Sequence, residues 1–216
     1  MILIECNKEF SMKNNILGSG IMEKQKKAAF YSLLMVISGI FGWIYELIFY
    51  YLNGGCKQIY LRGICFGPWI DIYVLGGLLI YLINKNKCNS WFKVFLKSGV
   101  ICGILEYITG LGIYILFDGK RSWDYNTEIL NFGNINGFIC LRSVLFFALS
   151  GIILMYVIVP NLKKLINKDS KIINYISLIL FIIFLIDEVY NMAIKLNIIN
   201  LPSANYIYES WGLIYW

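Results

Sequence analysis

Histidine does not occur anywhere in the 216-residue sequence, and charged residues make up only 15% of it. The absence of histidine removes the commonest general base, the usual transition-metal ligand and every imidazole-based triad. Soluble domains carry about 25% charged residues, so an ordinary water-soluble domain is excluded. No Gly-x-x-x-x-Gly-Lys-Ser/Thr loop occurs, which excludes ATP binding through a P-loop. We therefore predict no metal, no cofactor and no enzyme activity.

Cysteine occurs six times, at positions 6, 56, 65, 88, 102 and 140, and never as a Cys-x-x-Cys pair. Thiols scattered in this way are typical of free cysteines that act as small apolar side chains. A Cys56–Cys140 disulfide between two outer loops stays open as an alternative.

Apolar residues account for 59% of the chain and gather in five segments, each long enough to cross a bilayer core of about 30 Å. We predict an all-α, polytopic integral membrane helix bundle with about five transmembrane helices. The spans are expected at 28–52, 64–84, 93–117, 143–160 and 172–194.

Residues 1–27 are polar and predict a flexible cytoplasmic tail, which leaves 28–216 as the transmembrane domain. The fourth span is short and ends at Pro160. At the start of the second span, Gly67-Pro68-Trp69 is expected to bend the chain and anchor it at the membrane interface. The aromatic segment 198–216 leaves room for a further re-entrant element.

The net charge of +6 comes from scattered lysines, not from basic residues interleaved with aromatics, so we expect no nucleic-acid partner. Counted over alternate segments, thirteen Lys and Arg fall on one side of the membrane and six on the other. The positive-inside rule then places the N-terminus in the cytoplasm of a cell-membrane protein and, with five spans, the C-terminus outside.

Five carboxylates lie inside the predicted spans: Glu46, Asp71, Glu106, Asp187 and Glu188. An ionised group at a helix centre costs roughly 2.5–3.5 kcal/mol on translocon scales, so such groups face a cavity, pair with a base or serve a function. Counting from the span centres puts all five in the same half of the bilayer, together with Arg62 and Arg142. The sequence predicts an acidic chamber there. Alternatively, individual acids are structural and pair with these arginines.

Five sequence blocks resemble the bacterial family of CmpB-like permeases, described as putative ABC-transporter type IV. The blocks are GWIYE at 42–46, RGICFGPWIDIY at 62–73, LEYITG at 105–110, WDYN at 123–126 and NINGFICLRS at 134–143. The resemblance covers roughly residues 35–160. It implies a transport permease, and it places eight candidate residues in matching blocks: Glu46, Arg62, Glu106, Trp123, Asp124, Tyr125, Asn136 and Arg142. With Asp71, Asp187 and Glu188 they form the predicted chamber.

The leading hypothesis is a permease component whose outward-facing chamber binds a small solute or cation. Glu46 and Glu106 would bind charge or a proton, and Arg62 and Arg142 would supply counter-charge. Expected partners are the lipid bilayer, a separate ATPase subunit and further copies of the chain. The alternatives are a non-catalytic partner of another membrane complex and an intramembrane enzyme that acts on a lipid-linked substrate.

Overall fold

The computed structural model describes residues 2–54, 61–85, 90–168 and 171–213, with side chains described from residue 22 onwards. Over this part of the chain the structure is helical and contains no strand. The elements are α1 (Ile2–Asn53), α2 (Asp71–Asn84), α3 (Trp91–Leu116), α4 (Leu141–Ile153), a π-helical turn (Leu154–Ile158), α5 (Val159–Ile166), α6 (Lys171–Lys195) and α7 (Ala204–Ser210).

Four of the described helical segments are long and apolar enough to cross a membrane: Met22–Asn53, Trp91–Leu116, Leu141–Ile166 and Lys171–Lys195. The apolar helix α2 is shorter, with 14 residues. Helix α1 packs against α2 and α6, and α3 packs against α2 and α4. The predicted all-α membrane bundle is therefore confirmed, with α2 as the fifth, shorter member.

The second predicted span, 64–84, is only partly helical. Residues 61–70 form an irregular segment, here called the entry loop, and α2 begins at Asp71. Gly63 in this loop has φ +94°, and Pro68 has no N–H for a helical hydrogen bond. Trp69 is not an interfacial anchor, because its ring is buried and packs edge-on against Phe184 of α6. The second span thus consists of an irregular segment followed by a short helix.

The fourth predicted span, 143–160, is longer in the structure and does not end at Pro160. The helix runs from Leu141 to Ile166, and a π-helical turn, Leu154–Ile158, ends two residues before the proline. A π turn widens the backbone locally and accommodates the missing N–H of a proline. The Asn161 side chain also donates to the Val157 carbonyl at 2.8 Å, which satisfies another backbone group in this region.

Both ends of the described chain contain helix. The backbone of the predicted flexible tail is helical from Ile2, as part of α1. In the aromatic C-terminal segment, α7 docks back onto the bundle: the Ala204 N–H donates to Asn191 at 3.0 Å and the Tyr208 hydroxyl to the Phe66 carbonyl at 2.6 Å. Cys140 is a buried free thiol, while Cys56, its suggested disulfide partner, lies outside the described residues.

Candidate functional site

One large cavity, of about 300 Å³, opens inside the helix bundle at the end where the entry loop and the segment 118–140 lie. Its walls come from α1, α2, α3, α4 and α6, together with these two segments. Eight of the eleven predicted site residues line it: Glu46, Arg62, Asp71, Glu106, Trp123, Tyr125, Arg142 and Glu188. The other three, Asp124, Asn136 and Asp187, are not among its lining residues.

An ion pair between α1 and the entry loop forms one wall of the large cavity. Arg62 Nε lies 3.0 Å from Glu46 Oε2, and Tyr73 of α2 donates its hydroxyl to Glu46 Oε1 at 3.1 Å. The Arg62 guanidinium also lies 3.9 Å from the centroid of the Tyr50 ring, a cation–π geometry. Burial is the largest single influence on the pKa of Arg62 and lowers it, but Glu46, Tyr50 and Glu128 together raise it by more, so the net direction is upward and the guanidinium stays charged.

A second ion pair also lines the large cavity and involves a residue that the sequence analysis missed. Arg142 of α4 lies 2.6 Å from Glu128 and also donates to the Ile129 carbonyl at 2.9 Å. Glu128 accepts a further hydrogen bond from the Tyr50 hydroxyl at 2.6 Å. Tyr50 thus contacts both ion pairs, through its ring and through its hydroxyl.

Glu106 of α3 differs from these carboxylates because it forms no ion pair among the described residues. It is 4% exposed and accepts a short hydrogen bond from the Tyr125 hydroxyl on Oε1, while Oε2 has no hydrogen-bond partner among the described residues. The neighbouring Ser143 hydroxyl donates elsewhere, to the Cys140 carbonyl. Burial, and after it the charge of Glu106, raise the pKa of Tyr125, so Tyr125 remains a neutral donor.

The segment 118–140 positions Tyr125 through a dense set of local hydrogen bonds. The Tyr125 N–H donates to the Gly137 carbonyl at 3.0 Å, and Asn131 donates to the Tyr125 carbonyl at 2.8 Å. Gly137 has φ +77°, and a Cβ at this position would collide with Arg121 and Asp124. Asp124, predicted as a site residue, stabilises this loop instead by accepting hydrogen bonds locally.

Asn136 also belongs to this loop and not to the cavity wall. Its carbonyl accepts a hydrogen bond from Arg121 at 2.7 Å, and its side chain donates to the Tyr107 hydroxyl at 3.1 Å. Its φ of +56° is in the left-handed region that asparagine tolerates better than most residues. The residue therefore fixes the turn that carries Gly137, next to Tyr125.

Asp187 and Glu188 are adjacent on α6 but have different environments. Asp187 accepts hydrogen bonds from the backbone N–H groups of Phe66 and Gly67, at 2.9 and 2.7 Å, and from the Trp69 indole at 3.0 Å. It therefore holds the entry loop beside α6. Glu188 lines the cavity and accepts a hydrogen bond from Cys65 Sγ at 2.9 Å.

Asp71 occupies the rim of the large cavity at the first position of α2. It is exposed, and its carboxylate accepts a hydrogen bond from the following N–H, of Ile72, at 2.8 Å. A negative charge at this position interacts favourably with the helix dipole. The Asp71 side chain therefore has a structural role at the start of α2 as well as a place in the cavity wall.

The charges around the large cavity are mixed. Five carboxylates and four basic side chains line it, and two of the five, Glu46 and Glu128, are in ion pairs with lining arginines. Lys195 donates to Ser122 at 3.3 Å near the rim. The predicted counter-charge of Arg62 and Arg142 thus neutralises Glu46 and Glu128, and Glu106 is left as the buried carboxylate without a cationic partner in the described structure.

Four long apolar helices, a shorter fifth helix and a polar cavity within the bundle define a multi-pass membrane protein. The sequence model of the family described as "Putative ABC-transporter type IV" matches residues 33–192, and the chain belongs to this family. The predicted resemblance is therefore confirmed, and the matched range includes every predicted site residue. Comparisons with curated proteins and with solved structures gave no match.

Proposed function

We propose that this chain is a permease component of the cell membrane and that its large cavity receives a small solute or cation. The charge asymmetry of the loops supports a cytoplasmic N-terminal tail, 1–27, and an outward-facing cavity. The membership of the transporter-type family supports a transport role over catalysis. In this proposal the chain is not an enzyme.

The observation that carries the proposal is the state of Glu106. Its carboxyl group is buried in the bundle, has no cationic side chain paired with it in the described structure, and has one oxygen without a hydrogen bond. Retaining such a group inside a membrane is costly, and intramembrane carboxylates commonly mark ion or proton pathways. A cation or a proton that binds at Glu106 would remove this cost. We therefore assign the binding of charge to Glu106.

The paired carboxylates have a second role in the proposal. Glu46 and Glu128 are each ion-paired with an arginine, so they hold the entry loop and the segment 118–140 to the cavity wall. Glu46 also accepts the Tyr73 hydroxyl, so a solute that competes for this carboxylate would loosen Tyr73. Glu46 therefore connects the binding of a solute to the rearrangement of α2.

The source of energy and the assembly are also proposed. The sequence has no P-loop, so an ATP-driven mechanism needs a separate ATPase subunit. Because five spans are few for a complete transport pathway, we further propose that two or more copies of the chain associate. Neither partner supplies a residue to the binding of charge at Glu106 in this proposal.

Flux measurements on purified protein in proteoliposomes test the assignment of Glu106. A gradient of H⁺, Na⁺ or K⁺ is imposed, and a pH-sensitive or voltage-sensitive dye reports its dissipation. We expect Glu106→Gln to abolish the flux while the protein still inserts, because the amide keeps the shape but carries no charge. Glu209→Gln is the matched control: Glu209 is an exposed carboxylate on α7 that does not line the cavity, and its variant should retain the flux.

Equal flux in the wild type and in Glu106→Gln contradicts the proposal. If the wild-type chain alone gives no flux, the tagged chain is purified from its native membrane in mild detergent and its partners are identified by mass spectrometry. If an ATPase copurifies in stoichiometric amounts, the flux of the wild type, Glu106→Gln and Glu209→Gln is compared in the reconstituted complex. Recovery of the chain alone, together with no flux, contradicts a permease and favours a non-catalytic membrane partner.

A further inference from the structure

A second cavity lies deeper in the bundle, next to the large one. Its volume is about 30 Å³, and its walls come from α1, α2, α4 and the π-helical turn. Two residues line both cavities, Tyr73 of α2 and Phe147 of α4. Their ring centroids are 5.3 Å apart at an interplanar angle of 30°, so the two rings pack against each other between the cavities.

The residues that line the small cavity continue the surfaces that line the large one. On α2, Tyr73, Gly77 and Ile80 follow one another at helical spacing on a single face. On the fourth span, Phe147 is followed by Ser150, and Leu154 and Ile158 then complete that wall. The two cavities are therefore successive compartments along the same pair of helices, and not separate features of the bundle.

The walls of the small cavity have features that are found where helices rearrange. Leu154 and Ile158 are the first and last residues of the π-helical turn, and single π turns in helices occur frequently at functional sites. Gly77 lies so close to Ser38 of α1 that a Cβ would collide with the serine side chain. The small cavity is thus bordered by a close α1–α2 contact on one side and by an irregular helix on the other.

From this arrangement we infer that the two cavities are consecutive sites on one solute path, and that the ring pair Tyr73–Phe147 determines which solutes pass from one to the other. The inference rests on the proposed transport function and deepens it. The small cavity has an apolar lining broken by the hydroxyls of Ser38 and Ser150, and it is far smaller than the large one. The solute is therefore a compact ion or molecule that leaves most of its water behind when it passes the rings.

The hydrogen bond of Tyr73 connects this passage to the charged wall of the large cavity. The Tyr73 hydroxyl donates to Glu46, and its ring lies against Gly42 of α1, where a Cβ would collide with it. Phe147 has no such polar attachment, because its side chain is a hydrocarbon. Of the two rings, Tyr73 is the one that senses the occupancy of the large cavity, and Phe147 supplies the apolar surface against which it closes.

The accessibility of an engineered thiol tests the inference without knowledge of the solute. Ser150 is replaced by cysteine in a chain without its native cysteines, and a charged, membrane-impermeant thiol reagent is added from the side of the large cavity. A Lys120→Cys protein shows on which side of the membrane the large cavity opens, because position 120 is exposed in the segment 118–140. In intact cells this control labels if the cavity faces outwards; otherwise inverted membrane vesicles are used.

We expect slow labelling of the cysteine at position 150 while both rings are present. Phe147→Ala should raise the labelling rate about tenfold, because the thiol then becomes reachable from water. Leu145→Ala is the matched control: Leu145 is an exposed apolar residue of the same helix that lines neither cavity. Its loss should leave the labelling rate unchanged.

Three outcomes overturn the inference: fast labelling with both rings present, an equal effect of Phe147→Ala and Leu145→Ala, or no increase in a Phe147→Ala protein that is monodisperse in detergent. If Phe147→Ala does not fold, Phe147→Leu decides, because leucine removes the ring and keeps most of the apolar volume. The proposed binding of charge at Glu106 can fail while this test succeeds, because labelling does not measure flux.

Discussion

Asp187→Ala is expected to destabilise the bundle far more than the same change at its neighbour, Glu188. The Asp187 carboxylate is 8% exposed and accepts four side-chain or backbone hydrogen bonds, three of which come from the entry loop. The donors are the N–H groups of Phe66 and Gly67 and the indole of Trp69. Alanine removes the acceptor of all three donors, of which the Trp69 indole is buried.

The magnitude follows from the number of donors that lose their acceptor. A buried donor without a partner costs about 1–3 kcal/mol in soluble proteins, whereas hydrogen bonds between transmembrane helices average about 0.6 kcal/mol. For three such donors we expect a loss of about 2–5 kcal/mol, allowing for relaxation of the loop. The Glu188 carboxylate accepts a single hydrogen bond, from Cys65, so Glu188→Ala should cost about 1 kcal/mol or less.

Both variants can be measured by reversible unfolding in mixed detergent with increasing sodium dodecyl sulfate, followed by circular dichroism. The two residues are adjacent on α6 and have the same charge, so the comparison removes general effects of losing a carboxylate from this helix. If the two variants lose equal stability, the entry loop is not held by Asp187 and the reasoning from the hydrogen bonds fails.

Two further variants test the packing and the second ion pair in the same unfolding assay. Gly42→Ala should cost about 1–3 kcal/mol, because the new methyl group collides with the Tyr73 ring. The control is Gly112→Ala, which has nothing within 4 Å of the new methyl group and should be neutral or slightly stabilising. A neutral Gly42→Ala would contradict the close contact. Arg142→Lys should cost about 1–3 kcal/mol of stability, because lysine cannot bind both Glu128 and the Ile129 carbonyl as arginine does. The same substitution should cost clearly less stability in a protein that already carries Glu128→Gln. An equal loss of stability in both proteins would show that Arg142 and Glu128 are not coupled.

Part of the candidate site could be predicted from the depth of each carboxylate along its predicted span. Four of the five carboxylates that were counted into one half of the bilayer line the same cavity: Glu46, Asp71, Glu106 and Glu188. This worked because depth depends only on the number of residues from a span centre at a fixed rise per residue. Glu128 gave no such signal, since it lies in a polar loop where a carboxylate is ordinary.

The direction in which each side chain points could not be obtained in this way. Asp187 and Glu188 differ by one position, which is about 100° of rotation around the helix, and this rotation separates the residue that holds the entry loop from the residue that lines the cavity. The sequence also could not show which carboxylates form ion pairs. Arg62 binds Glu46, 16 residues away in the sequence, and Arg142 binds Glu128, 14 residues away, so only the fold brings each pair together.

The sequence by itself determined the class of fold, the membrane environment and the family, because length, hydropathy and motif spacing are local properties of the chain. Only the tertiary structure decided that the second span is half loop, that Glu106 is buried in the cavity wall with one oxygen lacking a hydrogen bond, and that Tyr73 and Phe147 lie between two cavities. The physical reason is that a hydrogen bond or ion pair depends on the rotation and approach of two elements together. No single segment carries that information.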